Sequence, residues 1–103
     1  MKIVGVCACT VGIAHTYMAQ EKLEKAAEKA GIEAKFETQG SIGRENALTE
    51  EEMKEADLVI LAIDVKIADT DRFAGKKVIK VSTDVAIKSP NKLMEKAKQI
   101  VAA

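Results

Sequence analysis

The sequence predicts an α/β domain: a doubly wound, four-stranded parallel sheet in the order 2-1-3-4, with helices on both faces and a phosphate loop after the first strand. Three observations predict it. Strand-like runs begin near positions 2, 33, 58 and 77, helical segments alternate with them, and a glycine- and small-residue-rich stretch directly follows the first run. Right-handed crossovers then place the second strand on one side of the first, and the third and fourth on the other. The order reverses beside the first strand, which is where such sheets bind ligands.

Each element follows from local pattern. Lys2 to Val6 reads as a short buried strand through IVGV. From about His15 to Ala30 the positions Ala19, Leu23, Ala26 and Ala30 form one apolar stripe, with Glu21 and Lys25 paired on the wet side, and Gly31 closes the helix. Glu33 to Glu37 alternates polar and apolar residues, as expected of a half-covered edge strand, and Thr38 to Leu48 reads as a polar loop with Gly40 and Gly43. Thr49 and Glu52 form a capping box that starts a short helix, whose Glu50, Glu51 and Glu52 complement the helix dipole. Leu58 to Ala62 is the most apolar strand. The connection through Asp64, Asp69 and Asp71 reads as solvated, and nothing in the sequence places one of these acids over Cys9. Gly75 introduces the strand Lys77 to Val81, and Ser89-Pro90 caps a last helix striped by Leu93, Ala97, Ile100 and Val101.

The 103 residues make one small domain, 1–103, without internal repeat or linker. Sixteen Lys plus Arg balance sixteen Asp plus Glu, so no long-range field gathers nucleic acid. The longest apolar runs fall well short of the roughly 18 residues that cross a bilayer, and the N-terminus has no signal-peptide pattern, which predicts a cytoplasmic protein. An initiating Met1 suits a free subunit or an N-terminal domain. In that setting two cysteines are expected to be thiols rather than a structural disulfide.

Those cysteines stand in CACTVGIAHTYMA. A strand, a cysteine, a run of small residues and then a helix leave backbone N–H groups without intrahelical partners, and with the helix dipole these make an anion cradle. Such a cradle favours the thiolate of Cys9 and would hold the oxygens of a phosphoryl group delivered to that sulfur. The expected phosphate-holding residues are Thr10, Val11, Gly12, Ile13, Ala14, His15 and Thr16. Cys9, five residues, then His15 and Thr16 match the C-x5-R-S/T frame of low-molecular-weight phosphatases and some arsenate reductases, with His15 where arginine would stand. Without that bidentate clamp and a leaving-group acid, the loop suits passing a phosphoryl group onward better than giving it to water. Cys7, two residues earlier, is expected to face the core. One histidine in the chain makes a C-x-C metal site hard to complete, so neither metal nor cofactor is expected. A small phosphatase or arsenate reductase, and a thiol redox module using Cys7 and Cys9, are the rival readings.

The stretches ACTVGIAHTYMAQE, KFETQGSIGRENALTEEEMKEADLVILAID and RFAGKKVIKVS closely resemble the IIB components of the fructose-type bacterial phosphoenolpyruvate-dependent sugar phosphotransferase system, over nearly the whole chain. The resemblance implies that the cysteine aligned with Cys9 becomes a phosphocysteine. It would take its phosphoryl group from a phosphohistidine on IIA and give it to a sugar carried by the membrane component IIC, at the inner face of the membrane. It also implies that Gln39, Gly40 and Ser41, after Thr38, line the rim of the site. The family's loop usually carries Pro and Thr directly after the cysteine, whereas Thr10 and Val11 stand here, which moves the hydroxyl by one position. The sugar is set by IIC and is not written in this chain.

Overall fold

The computed structural model describes residues 1–10, 13–40 and 43–102, with the side chain of Ile13 left aside. Its elements are β1 (Lys2–Ala8), α1 (Ile13–Lys29), β2 (Glu33–Gly40), β3 (Gly43–Glu45), α2 (Glu50–Glu55), β4 (Leu58–Ile63), a 3-10 helix (Thr70–Phe73), β5 (Val78–Val81), α3 (Thr83–Lys88) and α4 (Pro90–Ala102). The sheet order is β3-β2-β1-β4-β5. β2, β1, β4 and β5 run parallel in the expected 2-1-3-4 arrangement.

The sheet has one strand more than expected and is mixed. β3 pairs antiparallel with the end of β2, Gln39 opposite Arg44 and Gly40 opposite Gly43, so much of the expected Thr38 to Leu48 loop is a hairpin. The glycines that read as loop formers, Gly40 and Gly43, are partners in it. Two other elements escaped the pattern because they are short. α3 is six residues capped by Ser82, whose side chain accepts from the Val85 N–H, and the 3-10 helix is four residues.

Parallel pairing buries β1 and β4 on both faces, and nearly every residue of each is buried. One face carries α1, α3 and α4 over Ile3, Leu23, Phe36, Ile60 and Met94. The other is thinner: α2 and the 3-10 helix bring Met53 and Phe73 against Val4, Val6 and Val59. Gly5 permits the close approach of the central strands, since a Cβ there would meet the Ile60 carbonyl oxygen at 2.2 Å and the Phe36 ring at 2.7 Å. The capping box at α2 forms as predicted, with Thr49 and Glu52 bonded reciprocally. Gly31 ends α1 at φ +74°.

The expectation that fails most clearly is Glu37. Alternation placed it on the wet side of an edge strand, yet its side chain is fully buried. Arg72 donates to it twice, at 2.9 and 2.7 Å, Gln39 Nε2 at 2.8 Å and the Leu48 N–H at 3.0 Å, with Arg44 Nε at 3.4 Å. Period-two reasoning assigns a face but does not see a charged partner arriving from 35 residues away.

Candidate functional site

Three neighbouring strands end side by side and each delivers one polar residue. β1 ends at Ala8 and Cys9 follows; β4 ends at Ile63 and Asp64 follows; β5 ends at Val81, Ser82 caps α3 and Thr83 is its first residue. Register carries the convergence, because Ala8 pairs with Ile63, Ala62 pairs with Val81, and the Asp64 N–H donates to the Ala8 carbonyl at 3.0 Å. His15 joins from the first turn of α1.

Thr83 is the hub. Its fully buried hydroxyl lies 2.5 Å from Asp64 Oδ2, 3.1 Å from His15 Nε2 and 3.8 Å from Cys9 Sγ, and its backbone N–H donates to Asp64 Oδ1 at 3.0 Å. The Thr83 hydroxyl and amide together hold the Asp64 carboxyl below its usual range, with further help from Cys9 and the charge of His15. Asp84 stands 3.6 Å from His15 Nε2. Nothing in the sequence places an aspartate over Cys9; the structure brings Asp64 beside it. Its cue was its place immediately after the most apolar strand, at the carboxyl edge next to β1. Thr83, first residue of α3 just after β5, carried the same cue and is not among the residues singled out from the sequence.

Cys9, His15 and Asp64 bring a thiol, an imidazole and a carboxylate within 4.8 Å of one another, a donor set that could hold a divalent cation. The Thr83 hydroxyl already meets all three, so the set is joined by hydrogen bonds rather than held open. Cys9 is half-buried and lines a cavity of about 310 Å³ with Thr10, Gln39, Gly40 and Lys66. Two of the predicted rim residues, Gln39 and Gly40, are thus beside it. A larger hollow of about 520 Å³ adjoins, sharing Val65 and Lys66 and holding Asp64 and Lys80. Lys66 was not singled out from the sequence, and it is the cation in the Cys9 cavity.

The remaining predicted residues divide. Ile13, Ala14, His15 and Thr16 form the first turn of α1, with Ala14 exposed, His15 half-buried and Thr16 buried. Val11, Gly12 and Ser41 lie outside the described residues. Gln39 is fixed by three bonds: Nε2 to Glu37 and, more loosely, to the Ala68 carbonyl, and Oε1 from the Ala68 N–H at 2.9 Å. The Glu37 cluster therefore holds the rim of the cavity. Cys7 faces the core beneath α1, as expected. Burial pushes its thiol up to about 12, aided by the charge of Glu24, so it is held as an inert thiol. Neither cysteine is in a disulfide.

Among known proteins, the model of the family described as "PTS system, Lactose/Cellobiose specific IIB subunit" matches residues 4–96. The chain belongs to the PTS IIB family. This IIB chain is 52% identical over 95 residues to the PTS system fructose-like EIIB component 2 of Escherichia coli K12, covering 92% of this chain and 90% of that one. A solved domain from the fructose-specific IIABC component of Borrelia burgdorferi is 54% identical with a TM-score of 0.89, covering 95% of this chain and 93% of that one. The chain is also 47% identical over 96 residues to the fructose-specific EIIB'BC component of Xanthomonas campestris, 93% of this chain but 16% of that protein. No described helix of this IIB chain is long and apolar enough to cross a membrane.

Proposed function

We propose that this IIB protein is a phosphoryl carrier in a sugar phosphotransferase system, with Cys9 as the phosphorylated residue. The observation that carries the reading is the placement of Cys9, at the switch point of a doubly wound sheet between β1 and the start of α1, in a chain of the IIB family. In the first step the Cys9 thiolate attacks the phosphorus of a phosphohistidine on IIA. The S–P bond forms, the N–P bond breaks, and the imidazole nitrogen takes a proton. In the second, a sugar hydroxyl bound by IIC attacks the same phosphorus. The O–P bond forms, the S–P bond breaks, the thiolate is regenerated and the hydroxyl proton leaves to a base. The backbone N–H groups from Thr10 to Thr16 serve the transferred oxygens, and Lys66 supplies positive charge from across the cavity in place of the missing arginine. The names of the relatives support a fructose-like sugar, and the fused EIIB'BC relative supports a partner IIC. An action at the cytoplasmic face of the membrane follows from that partnership.

The two rivals are less well equipped. A phosphatase needs a carboxylic acid to protonate its leaving group, and Asp64, beside Cys9, is held in its ionised form by Thr83. A Cys7–Cys9 redox pair needs two accessible thiols, and Cys7 is buried and protonated. Incubation with phosphorylated IIA, read by intact mass and peptide mapping, tests the reading. One phosphoryl group on Cys9 is expected, with none in Cys9→Ser and little hydrolysis of an aryl phosphate by the protein alone. A phosphoryl group mapped to another residue, or rapid aryl phosphate turnover without IIA, overturns it.

A further inference from the structure

The Thr83 hydroxyl has three neighbours and one proton to give. Asp64 lies closest at 2.5 Å and, as a carboxylate, can only accept, so the hydroxyl proton goes to Oδ2. What remains on the oxygen is lone pairs. His15 Nε2 at 3.1 Å can then form a hydrogen bond with it only by donating. Asp84 Oδ1 at 3.6 Å from the same nitrogen also calls for a proton there. Every group that faces Nε2 therefore favours one ring form, with Nε2 protonated and, in the neutral ring, Nδ1 bare.

We infer that Thr83, held by Asp64, is a positioning residue that fixes His15 with its proton on Nε2 and so sets the ring's orientation beside the Cys9 sulfur. This rests on the reading of Cys9 as the phosphoryl acceptor. The device is assembled from the ends of β4 and β5, outside the cysteine loop, and it ties the loop's one imidazole to the rigid edge of the sheet through a side chain that is fully buried. A ring fixed in this way meets the incoming phosphoryl group in one geometry rather than several, which is where positioning contributes to transfer rates. It also means that the imidazole cannot take a proton at Nε2 while Thr83 is bonded to Asp64, because that position is already filled.

His15 is the only histidine in the chain, so its ring nitrogens give a single set of signals. Long-range proton–nitrogen NMR of labelled protein, at a pH where the ring is neutral, should show a bare Nδ1 and a protonated Nε2. Thr83→Val should release the ring into a mixture of tautomers and slow phosphoryl acceptance from IIA on the order of tenfold to a hundredfold, while Thr83→Ser should keep both properties. Asp64→Asn, altered on the exposed side of the pair, should release the ring as well, which covers the case of a poorly folded valine variant. A proton found on Nδ1 in the unaltered protein overturns the inference. So does a Thr83→Val ring spectrum matching the unaltered one, or a Thr83→Val protein with a released ring and an unchanged rate. The tautomer is read on the protein alone, so a failure to phosphorylate Cys9 would count against the proposed function and leave the ring assignment to its own result.

Discussion

Two carboxylates at the carboxyl edge of this sheet are held by donors, Glu37 in β2 and Asp64 after β4, and they are built for opposite purposes. Glu37 is sealed. Two Arg72 nitrogens, Gln39 and the Leu48 amide saturate it, and its side chain has no exposure. Asp64 is exposed, held mainly by the hydroxyl and amide of Thr83, and stands beside Cys9 on the wall of the larger hollow. A closed ion pair positions the walls of a site; an exposed, hydrogen-bonded carboxylate leaves a face on which chemistry can happen. The two meet at Gln39, which is bonded to Glu37 and lines the cavity of Cys9.

The largest effect expected from this contrast is on stability. Arg72→Ala leaves a buried carboxylate with the more distant Arg44, at 3.4 Å, as its counter-charge among the described residues, and should cost about 3–5 kcal/mol in urea denaturation. Asp64→Asn should cost under about 1 kcal/mol while releasing His15, because its site is open to water. Equal losses from the two variants would mean that closure is not what separates the clusters.

Acid should distinguish them next. Donation by Arg72, Gln39 and the Leu48 amide outweighs the opposing effect of burial and holds the Glu37 carboxyl at about 2, against an ordinary 4.5. A carboxyl depressed by folding stabilises the fold in full above its unfolded value, and that contribution is lost as pH falls through the folded one. Stability of the unaltered protein should therefore fall steeply between about pH 4.5 and 2. Glu37→Gln, although less stable at neutral pH, should show a shallower decline over that interval in chemical denaturation series. Parallel declines in the two proteins would remove Glu37 as the source.

The sequence carried the four parallel strands and the loop after β1 because burial on both faces writes continuous apolar runs, and a cysteine before a helix needs no distant partner to be read. Glu37 was misread for the reverse reason: its environment is made by Arg72, which the chain brings back only after β4 and the 3-10 helix. Asp64 was in view as a residue, Thr83 was not, and neither was read as a neighbour of Cys9. Their meeting depends on the order β1-β4-β5, which the pattern predicts, and on the register of strand ends, which it does not. The motif stretches around TQG and RFAGK acquire a physical meaning here, as Gln39 and Arg72 grip the same carboxylate.

A third carboxylate sharpens the comparison with the smallest effect. Glu52 is held at about 2, as Glu37 is, by Lys35 at 2.8 Å and by the Thr49 amide in the capping box. Its side chain is 22% exposed and its lysine partner 26%, against none for Glu37. Water and salt screen such a pair, whose worth is typically under about 1 kcal/mol, and glutamine can keep the reciprocal cap. Glu52→Gln should therefore shift the urea midpoint only slightly, and the shift should shrink in molar salt, whereas that of Glu37→Gln should persist. If both shifts were large and insensitive to salt, a low carboxyl pKa alone would mark a structural node, and burial would not be the property that sets Glu37 apart.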